Sequence, residues 1–267
     1  MRRIWILALA CVTAAGGALA AGAGSRPTAT PQGRTWDSIK HLPDWTGVWV
    51  LSDESWTEAV KASTGQDEGA TPLTPRYLAI RDEQNQSENE NRATAVPENE
   101  YTCTPVGIPE STAIPIGHEY LLTPGRVTVI FENGIVRRID TSGRPHPPEK
   151  DLVYSFGGHS IGHWEGRTLV VDTIGLIPQA EFLIGLRVTD KTHLTERITR
   201  QDRDTLVIDT VVTDPEIFTR PWVYSRSYKH YASAPGEYYP CNGSNRDVIV
   251  DGKQTGVDLT PPPAQKP

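Results

Sequence analysis

Two carboxylates, two histidines and a run of aromatic and cationic side chains are the residues of this sequence whose types and spacing could do acid/base chemistry. Asp172 lies between Val170 and Ile174, and Glu196 between Leu194 and Ile198. Strand alternation therefore predicts both acids on inward, partly desolvated faces. Buried acids need cations, and Arg138, which shares a face with Val136, and Arg226 are the expected partners. An acid oriented by an arginine suits a general base, and it suits a structural ion pair in a barrel interior equally well. Trp222, Tyr224, Arg226, Tyr228 and His230 alternate onto one face. Rings tipped with hydroxyl, guanidinium and imidazole can stack on a sugar or aromatic ligand while binding its oxygens. The plainer reading is aromatic barrel core.

His146 sits in Gly143-Arg-Pro-His-Pro-Pro148, a stiff proline-flanked loop that suits either a rim acid or an ordinary surface histidine. His159 is the alternative acid. His159 and His163 are four apart, about 13 Å along a strand, so one ion cannot bridge them unless Gly157, Gly158 and Gly162 bend the segment sharply. No metal is expected. There is no GxSxG elbow, Walker loop, dinucleotide fingerprint or CxxC pair, and no cofactor is expected.

The elements that must position these residues are mostly strands. From His118 onward, short β-rich runs alternate with turn signals at the spacing of barrels and sandwiches. Asn133-Gly134 joins Arg126–Glu132 to Ile135–Asp140 as a two-residue hairpin turn, and Gly166-Arg167 joins Ser160–Glu165 to Thr168–Thr173. His193–Arg200, Thr205–Thr213 and Arg220–Tyr231 complete the series. Gly47–Leu51 reads as a first strand. Ser55-Trp-Thr-Glu58 opens one short helix with a capping box, and Thr74-Pro75 opens a second. The expected fold is mainly β: a lipocalin-like antiparallel barrel or strongly bent sheet with two short N-terminal helices.

The ends speak to location. Arg2-Arg3, the apolar stretch from Ile4 to Ala15, and Ala18-Leu19-Ala20 form a secretory signal cut near Ala20, and the apolar run is too short to span a bilayer. A twin-arginine signal and a lipidated Cys11 are the alternatives. The expected organisation is a signal peptide over 1–20, a flexible lead-in over 21–40, one domain over 41–251 and a disordered Pro-rich tail over 252–267. The destination is the periplasm or the exterior. Of three cysteines, Cys11 leaves with the signal, so Cys103 and Cys241 are read as one disulfide, with two buried free thiols as the alternative. A net charge of −7, with no basic patch, argues against nucleic acid or anionic membrane as partner. The expected partner is a small molecule. Oligomeric state is left open.

The mature chain resembles a large group of exported bacterial β-rich proteins, frequent in acidobacteria and sphingomonads. The matching stretches are Leu42-Pro-Asp-Trp-Thr-Gly-Val-Trp49, Leu73-Thr-Pro-Arg-Tyr77, Thr123-Pro-Gly-Arg-Val127, Arg137-Arg-Ile139 and Gly143-Arg-Pro-His-Pro147. Gly158-His-Ser-Ile-Gly-His-Trp-Glu-Gly166 with Thr168-Leu-Val-Val-Asp-Thr173 is the most specific, followed by Thr195-Glu-Arg-Ile198, Phe218-Thr-Arg-Pro-Trp222 and Asn245-Arg-Asp247. The group carries no reaction to transfer. Its pattern includes Arg138, His146, Asp172, Glu196, Trp222 and Arg226, and often has another residue where His163 stands.

Two classes of function follow. The first is a cofactor-independent lyase or isomerase acting on a small aromatic or carbohydrate-like compound. Asp172 or Glu196 would be its base, His146 or His159 its acid, Arg138 and Arg226 its anion clamp, and Trp222 with Tyr224 its stacking platform. The second is a periplasmic binding protein using the same pocket without turnover. An envelope scaffold whose aromatic face meets another protein is a third reading.

Overall fold

The computed structural model describes residues 35–67, 69–91, 105–182, 186–232, 247–250 and 253–257. The cleavage point near Ala20, Cys103 and Cys241 lie outside the described residues. The chain is mainly β, with nine strands closed into a barrel and two helices at its N-terminal side. The strands are β1 (Val48–Leu51), β2 (Gly117–Thr123), β3 (Arg126–Phe131), β4 (Val136–Asp140), β5 (His159–Glu165), β6 (Thr168–Ile174), β7 (His193–Arg200), β8 (Thr205–Thr213) and β9 (Trp222–Tyr231). Each pairs with the next and β9 closes on β1. Every seam is antiparallel except β4–β5, which is parallel and pairs at only Ile139↔Ser160 and Asp140↔Ile161. The 141–158 connection therefore has to return along the outside of the barrel.

The helices α1 (Asp53–Thr64) and α2 (Pro75–Asn91) follow β1. The cap of α1 is Ser52, whose side chain accepts from the Ser55 amide, so the helix begins before the expected Ser55 box. Ser55 instead bonds Ser227 on β9 and ties the helix to the wall. Pro75 opens α2 as expected. Trp36–Ile39 forms a short 3-10 turn within the expected lead-in. Lys253–Val257 pairs antiparallel with Asp247–Val250, so part of the expected disordered tail is strand. In the sequence, Asp251-Gly252 between them is a strong hairpin signal. Among the described residues no helix is long and apolar enough to cross a membrane.

The inside of the barrel is packed with Trp49, Phe131, Ile139, Leu169, Leu194, Ile198, Leu206, Ile208 and Tyr228. One turn decides which side of β4 joins them. The β3–β4 loop has three residues, because Phe131 N–H donates to the Ile135 carbonyl and Ile130 pairs with Val136. Asn133 is drawn toward the 106–111 segment, donating to the Val106 carbonyl and to Ser111 Oγ, and Gly134 takes φ +85°. The two-residue turn expected from Asn133-Gly134 would pair Phe131 with Val136. The extra residue shifts the register by one and exchanges the faces of β4. Arg137 and Ile139 are buried, while Val136 and Arg138 are exposed.

Candidate functional site

The barrel wall divides the expected site residues into two groups. On β6 the inward side chains are Leu169, Val171 and Thr173, so Asp172 faces outward, against the expectation. Both faces of β6 carry apolar residues, and the Val170/Ile174 pair misled the alternation. On the outside, β5 contributes His159 and the returning connection contributes His146. The His146 and His159 Nδ1 atoms are 2.8 Å apart, and His146 Nε2 is 2.8 Å from Asp172 Oδ1. His193 completes the chain, its Nε2 2.8 Å from Asp172 Oδ2. His193 had not been singled out. The Asp172↔Thr195 pairing places it diagonally beside Asp172 on the same face, a signal available only once the register is known.

The network assigns the protons. A carboxylate only accepts, so His146 and His193 each donate Nε2–H to Asp172. In the arrangement that leaves a base at the cleft, His146 Nδ1 accepts from His159 Nδ1–H, and His159 Nε2 keeps a lone pair. Burial pushes the Asp172 carboxyl up, but the hydrogen bonds from His193 and His146 outweigh this and hold it below the ordinary value. The bond to Asp172 raises His193. Burial, then the adjacent His146, lowers His159.

Proline rigidity positions His146. Pro145 and Pro147 fix the backbone on either side, and the residue before a proline is held extended. Arg144 pairs with Asp140, whose Oδ1 also accepts from the Ser142 amide and hydroxyl, fastening the start of the connection to the end of β4. At its other end Gly158 adopts φ +63°, and a Cβ there would meet Thr173, the Ile174 carbonyl and Leu176 within 3.0 Å. Where β4 and β5 diverge, a cleft of about 500 Å³ opens, lined among others by Arg126, Arg138, Asp140, Phe156, Gly157 and His159. Arg126 and Arg138 are diagonal neighbours on the outer face of β3 and β4, exposed and with no ion-pair partner among the described residues. Arg126 is a second residue the sequence had not offered. Among the described residues no group of three or more His, Cys, Asp or Glu side chains could hold a metal ion. His163 points out beside Glu165, 3.3 Å away.

No family model matches the chain, and no curated protein or solved structure matches it.

The second group is interior. Glu196 faces inward as expected, but its partner is Arg137 rather than Arg138 or Arg226. Arg137 Nη1 donates to Glu196 Oε1 at 3.1 Å, and Nη2 donates to Oε2 and to Thr173 Oγ1. Its Nε donates to Ser160 Oγ at 3.1 Å. Both charged side chains are at most 3% exposed. This is a sealed ion pair in which every guanidinium nitrogen donates, and it joins β4, β5, β6 and β7. Trp222, Tyr224, Arg226 and Tyr228 also point inward, as alternation predicted. The Tyr228 hydroxyl donates to the Thr112 carbonyl, and the Arg226 guanidinium lies 4.1 Å over the Tyr224 ring. His230 is at the rim, its Nε2 3.0 Å from the Thr46 carbonyl and its ring against Trp49. The expected single pocket holding acids, histidines, clamp and stacking platform does not form. The strands separate His146, His159, Asp172 and Arg138 from Glu196, Trp222, Tyr224, Arg226 and Tyr228.

Proposed function

We propose that this chain is an acid/base enzyme of the lyase or isomerase type whose proton transfers are made by its own side chains, acting on a small carboxylate-bearing aromatic or carbohydrate-like compound in the outer cleft. The observation that carries this reading is the hydrogen-bonded series His159–His146–Asp172–His193 ending at a cleft that also holds two unpaired guanidiniums. His159 Nε2 takes a proton from the carbon next to the substrate carboxylate. The electron pair left behind delocalises into that carboxylate, and Arg138 and Arg126 neutralise the enediolate charge. As His159 gains the proton, its Nδ1–H passes to His146 Nδ1, and Asp172 stabilises the imidazolium. The pair then expels a β-substituent, which gives a lyase, or is reprotonated at another position, which gives an isomerase.

The cysteines and the N-terminal pattern support an exported, disulfide-bonded protein, and intact mass after alkylation without reductant tests for a Cys103–Cys241 bridge. For the cleft, thermal-shift screening against uronic acids, aromatic acids and their neutral amides identifies ligands, and mass spectrometry of each stabilising mixture identifies products. Acids are expected to stabilise where amides do not, and to be consumed. Stabilisation without consumption would instead favour a binding protein. His159→Gln should bind the acid as before and lose turnover by about 10²–10⁴-fold.

A further inference from the structure

Among the described strands of the barrel, three buried, inward-facing residues carry charge: Arg137, Glu196 and Arg226. Arg137 and Glu196 neutralise one another. The inward-facing His118 is neutral at pH 7, since burial pushes it down to about 3. Buried Asp214, after β8, accepts from Thr189, Thr192 and the Glu216 and Ile217 amides, so among the described barrel strands Arg226 is a positive charge without a counter-ion. Tyr224 covers one face of its guanidinium, but Nη1 is buried with no hydrogen-bond partner among the described residues. A buried cation with an unused N–H is a costly arrangement unless something compensates it.

The place for compensation is beside it. Arg226 lines a cavity of about 20 Å³ beneath α1, walled by Ala59, Ala62, Leu73, Phe218 and Trp222. That volume holds one water-sized solute, and a water there would need roughly 2–4 polar partners. The walls are mostly apolar, and the two hydroxyls on the lining, Ser63 and Thr71, have their protons committed to the Val60 carbonyl and Asp67 Oδ2, so Arg226 is the donor the lining offers; the hydroxyls' remaining lone pairs can accept from a water, which is the competing occupant. Arg226 offers an anion both a donor and an unbalanced opposite charge in a setting that screens weakly. We propose that this cavity binds one small monovalent anion, of chloride or bromide size, held by Arg226 between the barrel interior and α1. The site is separate from the outer cleft and independent of the activity proposed there. Because α1 is fastened to β9 through Ser52, Ser55 and Ser227, the anion adds a second tie between the helix and the wall.

The test is thermal unfolding of the full chain in sodium chloride against sodium gluconate at constant ionic strength. Chloride is expected to raise Tm saturably, by roughly 5 °C at a hundred times its dissociation constant. Arg226→Met should abolish the chloride response. Ala62→Leu fills the cavity without touching the charge and should abolish it too, which decides the matter if Arg226→Met does not fold. Equal Tm in chloride and gluconate, or a wild-type chloride response in Ala62→Leu, would overturn the proposal and leave water as the occupant. Crystals soaked in bromide should show an anomalous peak against Arg226 Nη1, and absence of that peak counts equally against it.

Discussion

Neutral His159 is the form that can take a proton, and burial together with the neighbouring His146 holds its titration below the ordinary 6.5. The ratio kcat/KM is therefore expected to rise with pH through a midpoint below 6.5 and to be level at neutrality, and a midpoint above 6.5 in kcat/KM would contradict the assignment of the base. Glu196 behaves differently. Replacing it with Gln leaves Arg137 buried without its counter-ion, an expected loss of about 3–5 kcal/mol in chemical denaturation. The folded fraction should keep its kcat. Residue identity made Asp172, His146, His159 and Glu196 visible in the sequence. It could not separate them, because an acid flanked by aliphatics looks the same whether the flanking side chains meet the core or the covered outer face of a barrel.

At the scale of elements, the strands were legible because alternation and turn residues are local. The facing of β4 was not, since Asn133 Nδ2 reaches Val106 and Ser111 from far along the chain and adds a residue to the turn. The parallel β4–β5 seam was also hidden, although it creates the returning connection that carries His146. The rigidity of that connection is testable. Pro145→Ala with Pro147→Ala removes restrictions worth about 0.4–1 kcal/mol each. Turnover is expected to fall by more than that small loss of stability accounts for, with KM nearly unchanged. Equal kcat in the double variant and the parent would show that His146 needs no such support. Gly158→Ala should cost about 1–3 kcal/mol, because its φ is positive and the Ile174 carbonyl lies 2.9 Å from the added carbon.

For the whole molecule, two buried groups away from the relay set the pH range of stability. His118 packs among Tyr120, Phe131 and Tyr228 with neither ring nitrogen bonded, and its value in the fold is about 3. The unfolded chain takes up that proton near 6.5, so stability is full above 6.5 and falls as the pH drops toward 3. Burial, then nearby Glu181, raises Glu110 to about 8, so its contribution is full below 4.5 and declines as the pH rises through 8. The two windows overlap from pH 4.5 to 6.5, where the opposite slopes cancel, and the combined contribution is expected to be greatest there. His118→Phe keeps the ring in its aromatic surroundings and removes the acid penalty, a gain of about 2 kcal/mol at pH 5 that vanishes above pH 7. Urea unfolding at the two pH values checks it, and an equal effect at both would point to packing rather than protonation.

In the proposed mechanism proton transfer happens on the outside of the barrel, while the interior charges hold the fold. Product formation from a stabilising acid by Asp172→Asn and Glu196→Gln, each normalised to its folded fraction, separates the two most directly. Asp172→Asn should still bind the acid but lose turnover by about 10²–10⁴-fold, while Glu196→Gln turns over at close to the parent rate. Near-parent turnover in Asp172→Asn, with turnover abolished in folded Glu196→Gln, would place the chemistry inside the barrel and contradict the account.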